Sequence, residues 1–161
     1  MKVFKFGGAS VKDATGVKNL SSIVHQQQGQ LIVVVSAMGK TTNLLETLCN
    51  AYFHQDPQAT AIMKELKNFH LDIVNALFPL NDSVYKHLEE LFTNLENILS
   101  SESSLCYDYE YDRIISFGEL ISTTIISDYL NMEGIENQFI DIRKFLKTDQ
   151  NYRNANIDLE L

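Results

Sequence analysis

At 161 residues, 45% apolar and 21% charged, the chain has the length and composition of one globular domain with a sizeable core. A formal charge of −8 argues against nucleic acid as a partner. No apolar run reaches the ~18 residues of a membrane span, and the N-terminus opens on a strand pattern without a signal-peptide apolar region. Cys49 and Cys106 lie far apart with no CxxC pair and read as reduced thiols of a cytoplasmic protein. An acidic chain that handles anions must gather positive charge locally, which draws notice to its few lysines.

Val3 to Phe6 predicts a short strand whose apolar, aromatic character suits burial on both faces. Lys5 interrupts that run, and a buried ammonium needs an anion. Gly7 and Gly8 follow at the strand's carboxyl end, where open α/β sheets bind ligands. Their N–H groups, with no side chain beside them, can approach a phosphate closely. Two readings stand: a phosphate-handling loop with Lys5 as its charge, or a tight turn with an exposed lysine. Asp13 to Gln28 predicts a helix, with Val17, Leu20, Ile23 and Val24 at helical spacing and Asp13 as N-cap. Ser10 and the loop amides then lie near the helix's positive end, a second reason to place an anion there. Leu31 to Val35 predicts a buried parallel strand, and strand, helix and strand within about 35 residues make a βαβ unit.

The second strand runs into Ser36-Ala37-Met38-Gly39-Lys40-Thr41-Thr42-Asn43, then a helix carrying Leu44, Leu45 and Leu48. A P-loop is excluded, because GxxxxGK[ST] requires glycine where Val34 stands inside the strand. Ser36, Thr42 and Asn43 can offer hydroxyls and an amide to a ligand or cap the helix, and capping is the expected role of Thr42. From Asp56 to Ser100 the pattern is helical, with Asp56-Pro57 as N-cap and first turn and a break at Pro79 to Asp82. His54, His70 and His87 have no metal-ligand spacing and read as surface or half-buried histidines. Ser100 to Ser104 is a polar loop.

Tyr107 to Asn131 is again informative. Glu119 is the only charged residue between Arg113 and Asp128, and a lone carboxylate in so apolar a helix must be paired with a base or face a ligand. Ser116, Glu119 and Thr123 share one face, and Gly118 leaves room for a close approach. Gly134 closes the helix. Asn137 to Ile142 alternates into a predicted third strand, and residues 151–158 look like the start of further structure.

Three separated stretches, in order, resemble the aspartate kinases. Lys5-Phe6-Gly7-Gly8-Ala9-Ser10-Val11 is similar to their K-F-G-G-[ST]-S-V signature. Val35 to Gly39 with Thr42 to Leu45 resembles their second loop, and Ser116-Phe117-Gly118-Glu119-Leu120-Ile121-Ser122 their S-x-G-E-x-x-S helix. Phe139 to Lys144 is similar as well. Ala9 departs from the pattern, so a hydroxyl near the phosphates is missing or its part falls to Ser10.

The resemblance implies an α/β chain with the amino-acid-kinase (carbamate-kinase-like) fold, a parallel-centred sheet sandwiched by helices. It implies ATP-dependent phosphorylation of the side-chain carboxylate of L-aspartate, with Mg2+ carried on the nucleotide, in a cytoplasmic homo-oligomer. Lys5 would act on the transferring phosphoryl, with Gly7, Gly8 and Ser10 beside the phosphates. Ser36, Thr42 and Glu119 would hold aspartate, Glu119 facing its ammonium. Residues 1–161 would form the N-terminal lobe of the catalytic domain. The remaining nucleotide site, an arginine- and glycine-rich substrate loop and regulatory ACT domains would lie in other residues. The alternatives are a catalytically inactive binding or oligomerising unit, and a kinase for another acid such as N-acetylglutamate.

Overall fold

The computed structural model describes residues 1–158. Two parallel strands, β1 (Lys2–Phe6) and β2 (Leu31–Val35), are joined by a 3-10 turn at Gly8–Val11 and helix α1 (Ala14–His25). The register pairs Val3 with Ile32 and Phe6 with Val35. Five helices follow: α2 (Thr41–Phe53), α3 (Gln58–Leu77), α4 (Ser83–Leu99), α5 (Tyr107–Ile115) and α6 (Phe117–Met132). The predicted βαβ unit is therefore present. So is the predicted cap at Asp13, which accepts from Gly16 N at 2.8 Å; Asp82, expected only as part of a break, also caps its helix, accepting from Val84 N at 3.0 Å.

The core lies on one side of the sheet. Phe6, Leu31, Val33 and Val35 pack into it with Val17 and Leu20 of α1, Leu45 and Leu48 of α2 and Ile121 and Ile125 of α6. α6 is apolar almost all round because it sits at the centre of this cluster, and ten of its residues are buried.

The expected burial of the strands on both faces does not hold. Burial alternates along them, leaving Val3 60%, Ile32 45% and Val34 46% exposed. The strand period is two, and among the described residues the helices cover only one face. The predicted third strand is also absent. Residues 137–141 form no ladder, and Ile142–Lys144 is a single 3-10 turn. Alternation supplies only propensity; a strand needs a neighbouring edge to bond. This segment is held by side chains instead. Asn137 Nδ2 donates to Ser127 O and Asn131 Oδ1, and Arg143 is bidentate to Asp141. Residues 147–158 fold back on themselves, with a bridge between Thr148 and Ile157. The Arg153 guanidinium lies 4.2 Å from the centre of the Tyr111 ring of α5.

Candidate functional site

The first loop leaves β1 at its carboxyl end. Gly7 is extended, and the chain turns at once into the 3-10 segment, whose Ser10 N donates to Gly7 O. Lys5 stands on the exposed face of the sheet, so the feared burial of its ammonium does not arise. Its Nζ comes within 3.9 Å of where a Gly7 Cβ would sit, and it makes no hydrogen bond or ion pair among the described residues. Lys12 and Lys40 flank the same loops and are equally unpaired. In a chain of charge −8, three lysines without an ion pair among the described residues thus stand around these two loops.

The second loop is bonded to the first. Ser36 N donates to Phe6 O, and Gly39 N donates to Gly8 O, both at 3.0 Å. Gly8 is obligatory for this contact: a Cβ there would lie 2.4 Å from the Ala37 carbonyl oxygen. Gly39, at φ +56, makes the sharp turn into α2.

α6 approaches from the third side. A Cβ on Gly118 would lie 2.8 Å from Ala37 Cβ. The close approach that this glycine permits is therefore that of the second loop. Glu119 Oε1 accepts from Ala37 N at 3.2 Å. The carboxylate is exposed and has no ion pair, and its second oxygen is unpaired among the described residues. The predicted polar stripe is real, since Ser116, Glu119 and Thr123 are less buried than their neighbours, but Ser116 is engaged by Arg143 Nη1 at 3.2 Å.

Ala37 is thus where all three sequence motifs meet, wedged between Gly8 and Gly118 and bonded to Glu119. The sequence carries a signal for it in two glycines and a small residue spread over two loops and one helix. Ser36 and Glu119 are brought together through it. Thr42 lies one turn away, and it is no cap: α2 has no side-chain cap at its start. The hydroxyls of Ser10, Ser36 and Thr42 have no hydrogen bond among the described residues. Free hydroxyls, a free carboxylate oxygen and a free ammonium around two glycine loops suit a small zwitterion and an anion.

Two further features lie away from these loops. A cavity of about 690 Å³ is lined by Glu46, Asn50, His54, Tyr107, Tyr111 and Arg153, and none of the predicted site residues lines it. His70 is fully buried, correcting the expectation of a surface or half-buried side chain. It falls on the core stripe of α3 with Met63, Leu66, Ile73 and Leu77, a spacing that could have disclosed it.

Residues 1–159 match the amino acid kinase family. Aspartokinase 2, chloroplastic, of Arabidopsis thaliana is 32% identical over 96% of this chain and 29% of its own length. Two crystal structures of E. coli aspartokinase III, one with lysine and aspartate and one with aspartate and ADP, are 26% identical. They superpose over 98% of this chain and 35% of theirs, with TM-scores of 0.87 and 0.86. The chain spans about a third of the length of these relatives.

Proposed function

This chain belongs to the amino acid kinase family, and we propose that it is the aspartate- and phosphoryl-handling lobe of an aspartate kinase. The observation that carries the reading is the convergence on Ala37 of the Lys5 loop, the Ser36 loop and the Glu119 helix. Relatives whose names and bound ligands include aspartate and ADP support it.

In this reading the side-chain carboxylate of L-aspartate attacks the γ-phosphorus of ATP. A carboxylate oxygen–phosphorus bond forms, the bond to the bridging oxygen breaks, and ADP leaves with that electron pair. The carboxylate is already ionised at neutral pH, so the step needs no general base. What it needs is alignment and positive charge on the transferring oxygens. The unpaired Lys5 ammonium supplies that charge, with the Gly7 and Gly8 amides and Ser10 beside the phosphates. Ser36 and Thr42 hold aspartate, and the free oxygen of Glu119 accepts from its ammonium. Among the described residues no group of three His, Cys, Asp or Glu side chains is placed to hold a metal ion. Mg2+, carried on the nucleotide's phosphates in this reading, would supply further charge neutralisation. An N-acetylated substrate has no ammonium for Glu119 to meet, which favours aspartate over N-acetylglutamate.

The test is aspartate binding, followed by calorimetry and by amide signals of residues 36–42 and 116–120. Glu119→Gln is expected to weaken it by about 1.5–3 kcal/mol, the range of a charged hydrogen bond. Unchanged affinity in a folded variant would remove Glu119 from the site. N-acetylglutamate binding in place of aspartate would move the chain to a different kinase.

A further inference from the structure

His70, near the middle of α3, is the one fully buried ionisable side chain among the described residues that meets the second loop. Its Nδ1 lies 2.8 Å from Leu66 O. A carbonyl only accepts, so Nδ1 carries the proton, and Nε2 of the neutral ring is an acceptor. Nε2 stands 3.3 Å from Thr41 Oγ1, whose hydroxyl donates to it. The rings of Phe69 and, from α4, Phe92 enclose the imidazole at 5.0 and 6.2 Å. The nearby cation of α3, Lys67, is drawn off to Glu96 at 2.8 Å.

Residues 36–42 donate two hydrogen bonds to side chains elsewhere in the described chain. One is from Ala37 N to Glu119, and the other is from Thr41 to His70. The loop is tethered at one end by α6 and at the other by α3. Phe69 reinforces the second tether: its Cζ lies 3.4 Å from where a Cβ on Gly39 would sit. The Thr41 methyl faces the opposite way, 3.7 Å from the corresponding point on Gly118. Since α2 has no side-chain cap, no other side chain from outside the helix bonds its first turn among the described residues.

We propose that His70, with Phe69, is a positioning residue for the second loop: as a neutral acceptor it anchors Thr41 and sets how Ser36 and Thr42 are presented to the amino-acid substrate. This rests on the reading of Ser36 and Thr42 as aspartate contacts. His70 itself touches no substrate.

The test uses the 161-residue chain and NMR. The imidazole is expected as the Nδ1–H form, not titrating between about pH 7.5 and 5, whereas an ordinary histidine would. His70→Leu and Thr41→Val are each expected to shift the amide signals of Ala37, Gly39 and Thr42 alike and to weaken aspartate binding about three- to tenfold, the scale of one neutral hydrogen bond. The double variant should be no worse than either single one. His70→Gln, whose amide oxygen can accept from Thr41, should restore most of the affinity. A His70 that titrates normally, or variants that lose only stability while the folded protein keeps its loop signals and affinity, would overturn the proposal. If His70→Leu does not fold, Thr41→Val decides. If the parent protein binds no aspartate, the substrate reading fails alone, and matched or absent loop shifts in the two single variants still settle the role of His70.

Discussion

At the scale of single residues, this chain separates charges that are out of place from charges that are at home. Lys5 in a strand and Glu119 in an apolar helix were legible because their solvation cost had to be met by something. Both turn out exposed and without an ion pair among the described residues, so their charge is free for a ligand. In the whole protein, Lys5→Met is expected to lower kcat about 10²-fold or more, the scale of one preorganised charge contact, with an unchanged circular dichroism spectrum. Near-normal kcat would sink the assignment. His70 was illegible in the sense that mattered, since a lone histidine says nothing of its burial unless its place on the α3 core stripe is counted. Burial drives its imidazole from the ordinary 6.5 down to about 4, and the Leu66 carbonyl opposes this more weakly. Between those values the unfolded chain binds the proton and the folded one does not. The stability of the neutral form is therefore full above about pH 6.5 and lost as pH falls toward 4, on the order of 3 kcal/mol at about 1.4 kcal/mol per pH unit. Urea unfolding at several pH values in this window should show a steeper decline for the parent than for His70→Gln. Equal slopes would mean that the ring is solvated.

At the scale of elements, local chemistry predicted what depends on local chemistry. The predicted cap at Asp13 forms because a carboxylate there meets the first free N–H groups of a turn, and Asp82 caps α4 for the same reason. Strand burial and strand existence depend on what lies across the sheet, which the periods of Val3–Phe6 and Asn137–Ile142 do not encode. Thr42 shows the same limit in a loop. A hydroxyl at a helix start has the right type for a cap, but Gly39 at φ +56 and the tether at Thr41 set the loop path. Gly118 marks a close approach in the sequence, but its partner, Ala37, is set by the fold. Gly118→Ala would push a methyl into Ala37 Cβ and Leu45 Cδ1, which lie 2.8 and 3.3 Å from the new atom. Ala37 is held by Gly8 behind it and cannot withdraw, so the contact should cost about 1–3 kcal/mol of stability, the usual range for overpacking. It should also break the Ala37–Glu119 hydrogen bond. Chemical denaturation measures the first, and the Ala37 amide shift the second. A variant as stable as the parent would show that the two loops and α6 are packed more loosely than their geometry states.

At the scale of the whole molecule, the charge of −8 and the exposed sheet work in opposite directions. Net charge keeps copies of the chain apart at long range, with a reach of about 8 Å at physiological salt. Inside that distance the two-stranded sheet presents Val3, Ile32 and Val34 on its exposed face. Each strand also keeps one edge without a partner among the described residues. Unpaired N–H and C=O groups beside apolar side chains are a template for another strand, and apolar surface of this kind favours association. The 161-residue chain is therefore expected to self-associate, and more strongly at high salt, where repulsion is screened while apolar contact is not. Ile32→Lys and Val34→Lys put a charge on the exposed face without touching Leu31, Val33 or Val35, which face the core. Both should return the protein toward a monomer at equal stability, read by sedimentation velocity at low and high salt. A parent chain that stays monomeric at the concentrations used for NMR would show that twist or side-chain cover protects these edges. A lysine variant that associates as before would place the contact elsewhere, the exposed Phe145 and Leu146 segment being the next surface to charge.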